Sequence, residues 1–269
     1  MFYYHDLIET FNELTTVFKI YVMAISTNSI IHYTNTIEKL KAILNEGFAI
    51  KYCAERLILF DNKKSAAAHP MICFCDIPLS QSYKHTDAYG KYGIGLTKSW
   101  ANEKGINPVL YLDANSSISK TFSNLINERR NQTSNLTDEQ KSNILRIKSF
   151  TKNYSGHLKR NLVDDPNYRF YDEREWRLVP EPNELGEEAS FSISLRNYNE
   201  DKDKWNDQIS SLRINFEAKD ISYVIVNKTS EIPKIINEIR EVFKSKCTTE
   251  DLEILYSRIC STEQILNDY

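Results

Sequence analysis

Residues 29–47 read Ser-Ile-Ile-His-Tyr-Thr-Asn-Thr-Ile-Glu-Lys-Leu-Lys-Ala-Ile-Leu-Asn-Glu-Gly, and the hydrophobic period changes half-way along them. Alternation over Ser29–Thr34 predicts a strand with Ile30, His32 and Thr34 on one face and Ile31 and Tyr33 on the other. From Ile37 the apolar residues recur at three- and four-residue steps (Ile37, Leu40, Leu44), which is the stripe of an amphipathic helix. Asn35 followed by Glu38 resembles a capping box, and Gly47 falls where a left-handed residue closes a helix. A strand running straight into a capped helix predicts an α+β fold. It also sets His32 and Thr34 beside a helix N-terminus, whose free N–H groups favour anionic ligands.

Upstream, Leu7, Ile8, Phe11, Leu14, Phe18 and Tyr21 recur with helical spacing, so residues 1–28 are expected to be an amphipathic N-terminal helix docked on the body or on a partner. Residues 29–269 then form a single α+β domain, with no internal repeat and no long linker. Strands are expected at Met71–Ile77, stopped by Pro78, at Asn107–Leu112, around Phe191, Ile193 and Leu195, at Ile214 and Phe216, and at Asp220–Val226. Tyr171–Leu178 is also read as extended. Residues 116–160 read as polar helix with a stripe of Ile118, Phe122, Leu125 and Ile126. Pro233 opens a helix near the end, and Ser261 with Gln264 opens the last. Gly90, Gly93 and Gly95 lie within seven residues, but their spacing matches neither dinucleotide nor phosphate-loop patterns, so a turn or kinked strand is expected there.

Composition narrows the function classes. Apolar residues at 41% and charged ones at 26% indicate a globular chain, and a net charge of −3 gives no global attraction to nucleic acid or anionic lipid. Lys120–Arg160 is the exception, with nine Lys/Arg against three Asp/Glu, read either as a solvated helix face or as a nucleic-acid groove. The five cysteines are odd in number and scattered, as in a reduced cytoplasmic protein, and Cys73-x-Cys75 is too tight for a zinc knuckle. No metal site and no membrane span are expected.

Chemistry concentrates at Asn167–Pro180. In an extended segment Tyr171, Glu173, Glu175 and Arg177 share a face, which places two carboxylates about 7 Å apart. Such a pair repels itself and needs cations, a proton or a ligand nearby. It serves either acid–base chemistry and stabilisation of a positive transition state, or plain ion pairing with Arg174 and Arg177. No nucleophile elbow, zinc helix or phosphate-loop motif competes, and no clustered carboxylates suggest a nuclease.

At these residues the sequence resembles known families. HYTNTIEKLKAILNEGF, MICFCDIPLSQ, YGKYGIGLTKSWANEKGINPVLYL and FYDEREWRLVP occur in the order found in the AbiGi family of bacterial abortive phage-infection proteins. That resemblance covers roughly residues 29–265. It implies phage defence, with the family cast as antitoxin to a nucleotidyltransferase-like toxin. The first motif and the carboxylate strand are also similar to DarT-type ADP-ribosyltransferases. That second likeness implies a split mixed/antiparallel sheet with flanking helices and NAD as co-substrate. On it, His32 contacts the nicotinamide ribose, Glu175 stabilises the oxocarbenium ion, and Glu173 helps deprotonate a protein or nucleic-acid acceptor. Tyr33 or Thr34 lines the pocket, and Tyr89, Tyr92 or Thr97 supplies the middle position. The expectation is thus an ADP-ribosyltransferase-like phage-defence enzyme, its rival a non-catalytic antitoxin. They differ in one geometric requirement: His32 and Glu175 must face a common cleft.

Overall fold

The computed structural model describes residues 26–268. The leading helix expected over residues 1–28 therefore falls outside the described residues, save for Ser26, Thr27 and Asn28, which are not helical.

The opening stretch folds as its periodicity dictates, into β1 (Ser29–Thr34) and α1 (Ile37–Glu46). The cap is one residue later than expected. Thr36, extended at φ −137°, accepts from the Lys39 N–H, while Gly47 closes the helix at φ 79° with its N–H on the Ile43 carbonyl. Ile37, Leu40 and Leu44 are buried, each contributing on the order of 1.5–3 kcal/mol.

The chain continues through β2 (Phe48–Ala49), β3 (Lys51–Ile58) and the long β4 (Lys64–Cys75). Helix α2 (Tyr83–Tyr89), β5 (Tyr92–Thr97) and α3 (Lys98–Glu103) follow, then β6 (Asn107–Pro108) and β7 (Leu110–Leu112). The stretch expected to be one polar helix over 116–160 is shorter and mixed. It comprises α4 (Ser117–Arg130), α5 (Asp138–Ser149), β8 (Thr151–Asn153) and β9 (Gly156–Arg160). Only half its stripe is buried: Phe122 and Ile126 are, whereas Ile118 and Leu125 are exposed. Beyond it lie β10 (Val163–Tyr168), β11 (Glu175–Leu178), β12 (Ile193–Ser194), α6 (Leu195–Glu200), α7 (Lys202–Asp207) and β13 (Arg213–Ile214). The last elements are β14 (Ile221–Val226), α8 (Ile232–Phe243), α9 (Thr249–Ser257), β15 (Ile259–Ser261) and α10 (Thr262–Asp268). Leu195, expected to continue a strand, instead starts α6, because Ser194 caps that helix through the Asn197 N–H.

A nine-stranded sheet in the order β15-β14-β5-β1-β4-β11-β6, with β3 and β12 also on β4, organises the described residues. Its pairs are antiparallel except β14 with β15, and a small parallel pair, β7 with β8, lies outside it. The fold is α+β with mixed sheets. Strand β4 spans both parts: residues 64–71 pair with β3, and 72–75 with β11.

Directly paired residues share a face, so the register assigns every side chain. Ile94 lies opposite His32, and Val224 opposite Ile94. That face, with Ile30, Phe74, Leu96 and Leu178, carries the main core beneath α1 and α8. The opposite face carries Ile31, Tyr33, Cys75 and Ile225 in a smaller cluster. Glycines on β5 make that second face thin: a Cβ on Gly95 would come within 2.9 Å of the Tyr223 ring. The expected kinked, glycine-rich strand is thus β5 with its entry turn, where Gly90 sits at φ 113°.

Candidate functional site

The approach to β11 is not the extended run that alternation suggests. Phe170–Glu173 form a single 3-10 turn, Arg174 adopts a left-handed conformation at φ 43°, and only then does β11 begin. The turn does not separate the two acids. The Arg174 carbonyl accepts from the Asp76 N–H, pinning the corner to the end of β4, and Glu173 and Glu175 converge on one ammonium. Lys152 Nζ, from β8, lies 2.7 Å from a Glu173 oxygen and 2.6 Å from a Glu175 oxygen.

The remaining oxygens are also taken. Arg177 Nε donates to the other Glu175 oxygen at 2.6 Å, and its Nη1 donates to the Ser149 carbonyl at 2.7 Å. Its Nη2 lies 3.1 Å from Glu55 of β3. Tyr89 Oη donates to Glu173 Oε1 at 2.6 Å, and the Glu175 N–H donates to Tyr111 Oη at 2.8 Å. The His85 ring stacks on Tyr89 at 4.2 Å, and the Arg160 guanidinium lies 4.4 Å from the Tyr89 ring centroid.

This is a buried ion cluster: Glu173 is 2%, Glu175 5% and Arg177 0% exposed. Three carboxylates (Glu55, Glu173, Glu175) face two cations (Lys152, Arg177), which leaves one formal negative charge. Burial works against every charge here, but the pairing outweighs it. Arg177 and Lys152 hold the Glu175 carboxyl well below the usual carboxylate range. Glu175 and Glu173 hold the Lys152 ammonium well above the usual lysine range. His85 is pushed the other way: burial lowers it to about 4, so it packs as a neutral ring.

His32 does not join this cluster. Ile31 pairs with Cys75 and Cys75 with Glu175, so Ile31, Tyr33, Glu175 and Arg177 lie on one face of the sheet and His32 on the other. His32 packs edge-on to Phe48 and Phe74, at 5.4 and 5.8 Å between ring centroids, and its Nδ1–H donates to the Cys73 carbonyl at 2.8 Å. Burial lowers its pKa, partly offset by that bond. Thr34 shares the His32 face and is buried, and Tyr92 there donates to Glu231 at 2.8 Å. Tyr33 is on the carboxylate face, its ring 5.2 Å from His85 and its buried hydroxyl without a partner among the described residues. The sheet therefore separates the expected ribose contact from the expected catalytic acid, and these residues do not fit a bound NAD.

Two cavities stand out among the described residues, of about 420 and 230 Å³, and neither is lined by His32, Glu173 or Glu175. No group of three His, Cys, Asp or Glu among the described residues is placed to hold a metal ion. No described helix is long and apolar enough to cross a membrane.

Sequence reasoning found the acids and the Arg177 pairing, and named Tyr89 for another role, but missed Lys152, Tyr111 and Glu55, which carry no local signature. The one available clue was that two carboxylates on adjacent turns of chain require a cation from elsewhere.

Residues 46–227 match the family model described as "Putative abortive phage resistance protein AbiGi, antitoxin". The chain belongs to the AbiGi family. It is similar to the abortive phage resistance protein AbiGi of Lactococcus lactis subsp. cremoris, at 26% identity over 228 residues, covering 74% of this chain and 88% of that protein. No solved structure matches the chain. The span matching the AbiGi model includes the whole ion cluster, from Glu55 to Arg177, and excludes His32, Tyr33 and Thr34.

Proposed function

We propose that this AbiGi-family chain acts in phage defence as a non-catalytic antitoxin, a binding module that covers a cognate nucleotidyltransferase-like toxin. The observation that carries this reading is the state of Glu175. A carboxylate that stabilises an oxocarbenium ion must face an open cleft and keep its charge free for the transition state. Here both Glu175 oxygens accept hydrogen bonds from buried cations, and His32 lies across the sheet. The field that the acid could offer a substrate is spent on Arg177 and Lys152. Such an arrangement suits a rigid scaffold, and a rigid scaffold suits presenting a fixed surface to a protein partner. The family's description as an antitoxin points the same way.

The test has two arms. The full chain is co-expressed with a candidate nucleotidyltransferase-like toxin from the same host, and co-purification with relief of that toxin's effect on growth is expected. Separately, purified protein is incubated with NAD labelled in the nicotinamide ring, and no release above buffer is expected. Nicotinamide release that vanishes in a folded Glu175→Gln variant would overturn the reading in favour of ADP-ribosyl transfer. Absence of both binding and relief overturns it as well.

A further inference from the structure

The larger cavity, of about 420 Å³, lies where α4 and α5 meet β4 and the segment around β12. Three cations line it: Arg129 and Arg130 from the end of α4, and Lys148 from the last turn of α5. No Asp or Glu lines it. Lys148 is the decisive residue. It is 6% exposed, it borders the cavity, and its ammonium makes no hydrogen bond or ion pair among the described residues. The charged and titratable groups around it are Arg129 and Arg130 on α4, Glu55 on β3 and His69 on β4. Glu55 is committed to Arg177 at 3.1 Å. His69 is fully buried, and its Nε2 has no partner.

A lysine this buried, with two guanidiniums beside it and its neighbouring carboxylate, Glu55, already tied to Arg177, favours an anion that completes it. Burial first, then Arg130 and Arg129, lowers the Lys148 pKa to about 8, with Glu55 opposing the shift. Hydroxyl donors are at hand. Ser65 already bonds Arg130 Nη2 at 3.1 Å, orienting that guanidinium, and Ser190, Ser192 and Ser194 line the same wall. The rest of the lining is apolar, Ala66, Ala67, Ile126, Ile144, Leu145 and Phe191, with the Phe191 ring also 5.8 Å from the His69 ring. Three cations and an apolar, partly aromatic lining in a volume of this size match a ligand with a polyanionic part and a planar, less polar part.

We propose that this cavity binds a nucleoside phosphate, with its phosphates on Lys148, Arg129 and Arg130 and its base against Phe191. The site is independent of the ion cluster and of whether the chain neutralises a toxin. It also accounts for part of the basic stretch between Lys120 and Arg160, three of whose cations gather here.

The test is calorimetric titration of the full chain with GTP, ATP and inorganic triphosphate at low ionic strength, with Lys148→Met and Arg130→Ala as variants. Saturable binding of at least one nucleotide is expected, weakened at least tenfold in each variant. Binding should also weaken from pH 7 to pH 9 as free Lys148 loses its proton. Lys148→Met should keep or raise the melting temperature, since it removes an uncompensated buried charge, so lost binding is not lost folding. No saturable binding at millimolar nucleotide, or binding unchanged in both variants, would overturn the proposal. Inorganic triphosphate binding as tightly as the nucleotides overturns the base contact. A 5′-phosphorylated oligonucleotide binding more tightly than any mononucleotide overturns the assignment to a small molecule.

Discussion

Replacing Lys152 with methionine tests whether the ion cluster is held by charge balance. The ammonium sits 2.7 and 2.6 Å from two carboxylates, with its side chain 13% exposed. Methionine keeps most of the volume and removes the charge. Three acids are then left with Arg177 as their one remaining cation, and two of them are buried. Removing one partner of a buried ion pair costs about 3–5 kcal/mol, and this lysine serves two carboxylates, so the upper part of that range applies. Equilibrium urea unfolding at pH 7.5 reads the loss directly. The pH dependence gives a second signature. In the native protein Glu175 is depressed, so its contribution is present above the unfolded carboxyl value and is lost only as pH falls through the folded one. In Lys152→Met the crowded carboxylates are raised instead, so the deficit should shrink as pH falls from 7 toward 5. Adding Glu173→Gln to that variant should recover at least about 1 kcal/mol, because it restores the balance. A loss below about 1 kcal/mol, with no change in pH profile, would refute the charge-balance argument.

Other expectations follow from the same geometry. Burial pushes His85 down to about 4, so the unfolded chain binds its proton first and native stability should fall as pH drops from about 6.5 toward 4. At about 1.36 kcal/mol per pKa unit the His85 share approaches 3 kcal/mol. His85→Phe, which retains the stack on Tyr89, should flatten that slope in urea titrations, and an unchanged slope sinks the assignment. Gly90→Ala should destabilise by more than about 1 kcal/mol, since φ is 113° and a Cβ would meet the Thr34 carbonyl oxygen at 2.3 Å. A melting temperature within one degree of the native protein would contradict it. Arg177→Met leaves Glu175 with Lys152 alone and removes the cation beside Glu55, and should lower stability at pH 7 by about 3–5 kcal/mol, measured by the same unfolding curves.

The sequence disclosed most where one period dominates. Ser29–Gly47 switches from a two-residue to a helical repeat, and β1 and α1 follow it to within a residue at the cap. Val224, Ile225 and Val226, all fully buried, announce a core strand by composition alone. The failures have physical causes too. Thr151-Lys152-Asn153 has no periodicity of its own and becomes a strand only because β7 pairs with it in parallel. Asn35 and Thr36 are both competent caps, and the backbone at Thr36 decides between them. The run from Tyr171 alternates on paper, yet Arg174 turns left-handed and breaks it. At the site, the acids were legible because like charges at close spacing are conspicuous, but the side of the sheet on which His32 lies depends on registers across β1, β4 and β11. Those registers are set between segments distant in the chain, beyond the reach of local pattern.

The ion cluster draws its members from β3, β8 and β11, none of which is a sequence neighbour of another. The Lys152 contacts with Glu173 and Glu175 span only 21 and 23 residues, but Glu55 joins them only once the chain between it and Arg177 has been gathered in. Interactions that appear only after the rate-limiting crossing slow escape from the native state without hastening arrival there. The Glu55–Arg177 contact is therefore expected to work as a clasp, with Glu55→Gln raising the unfolding rate more than it lowers the refolding rate.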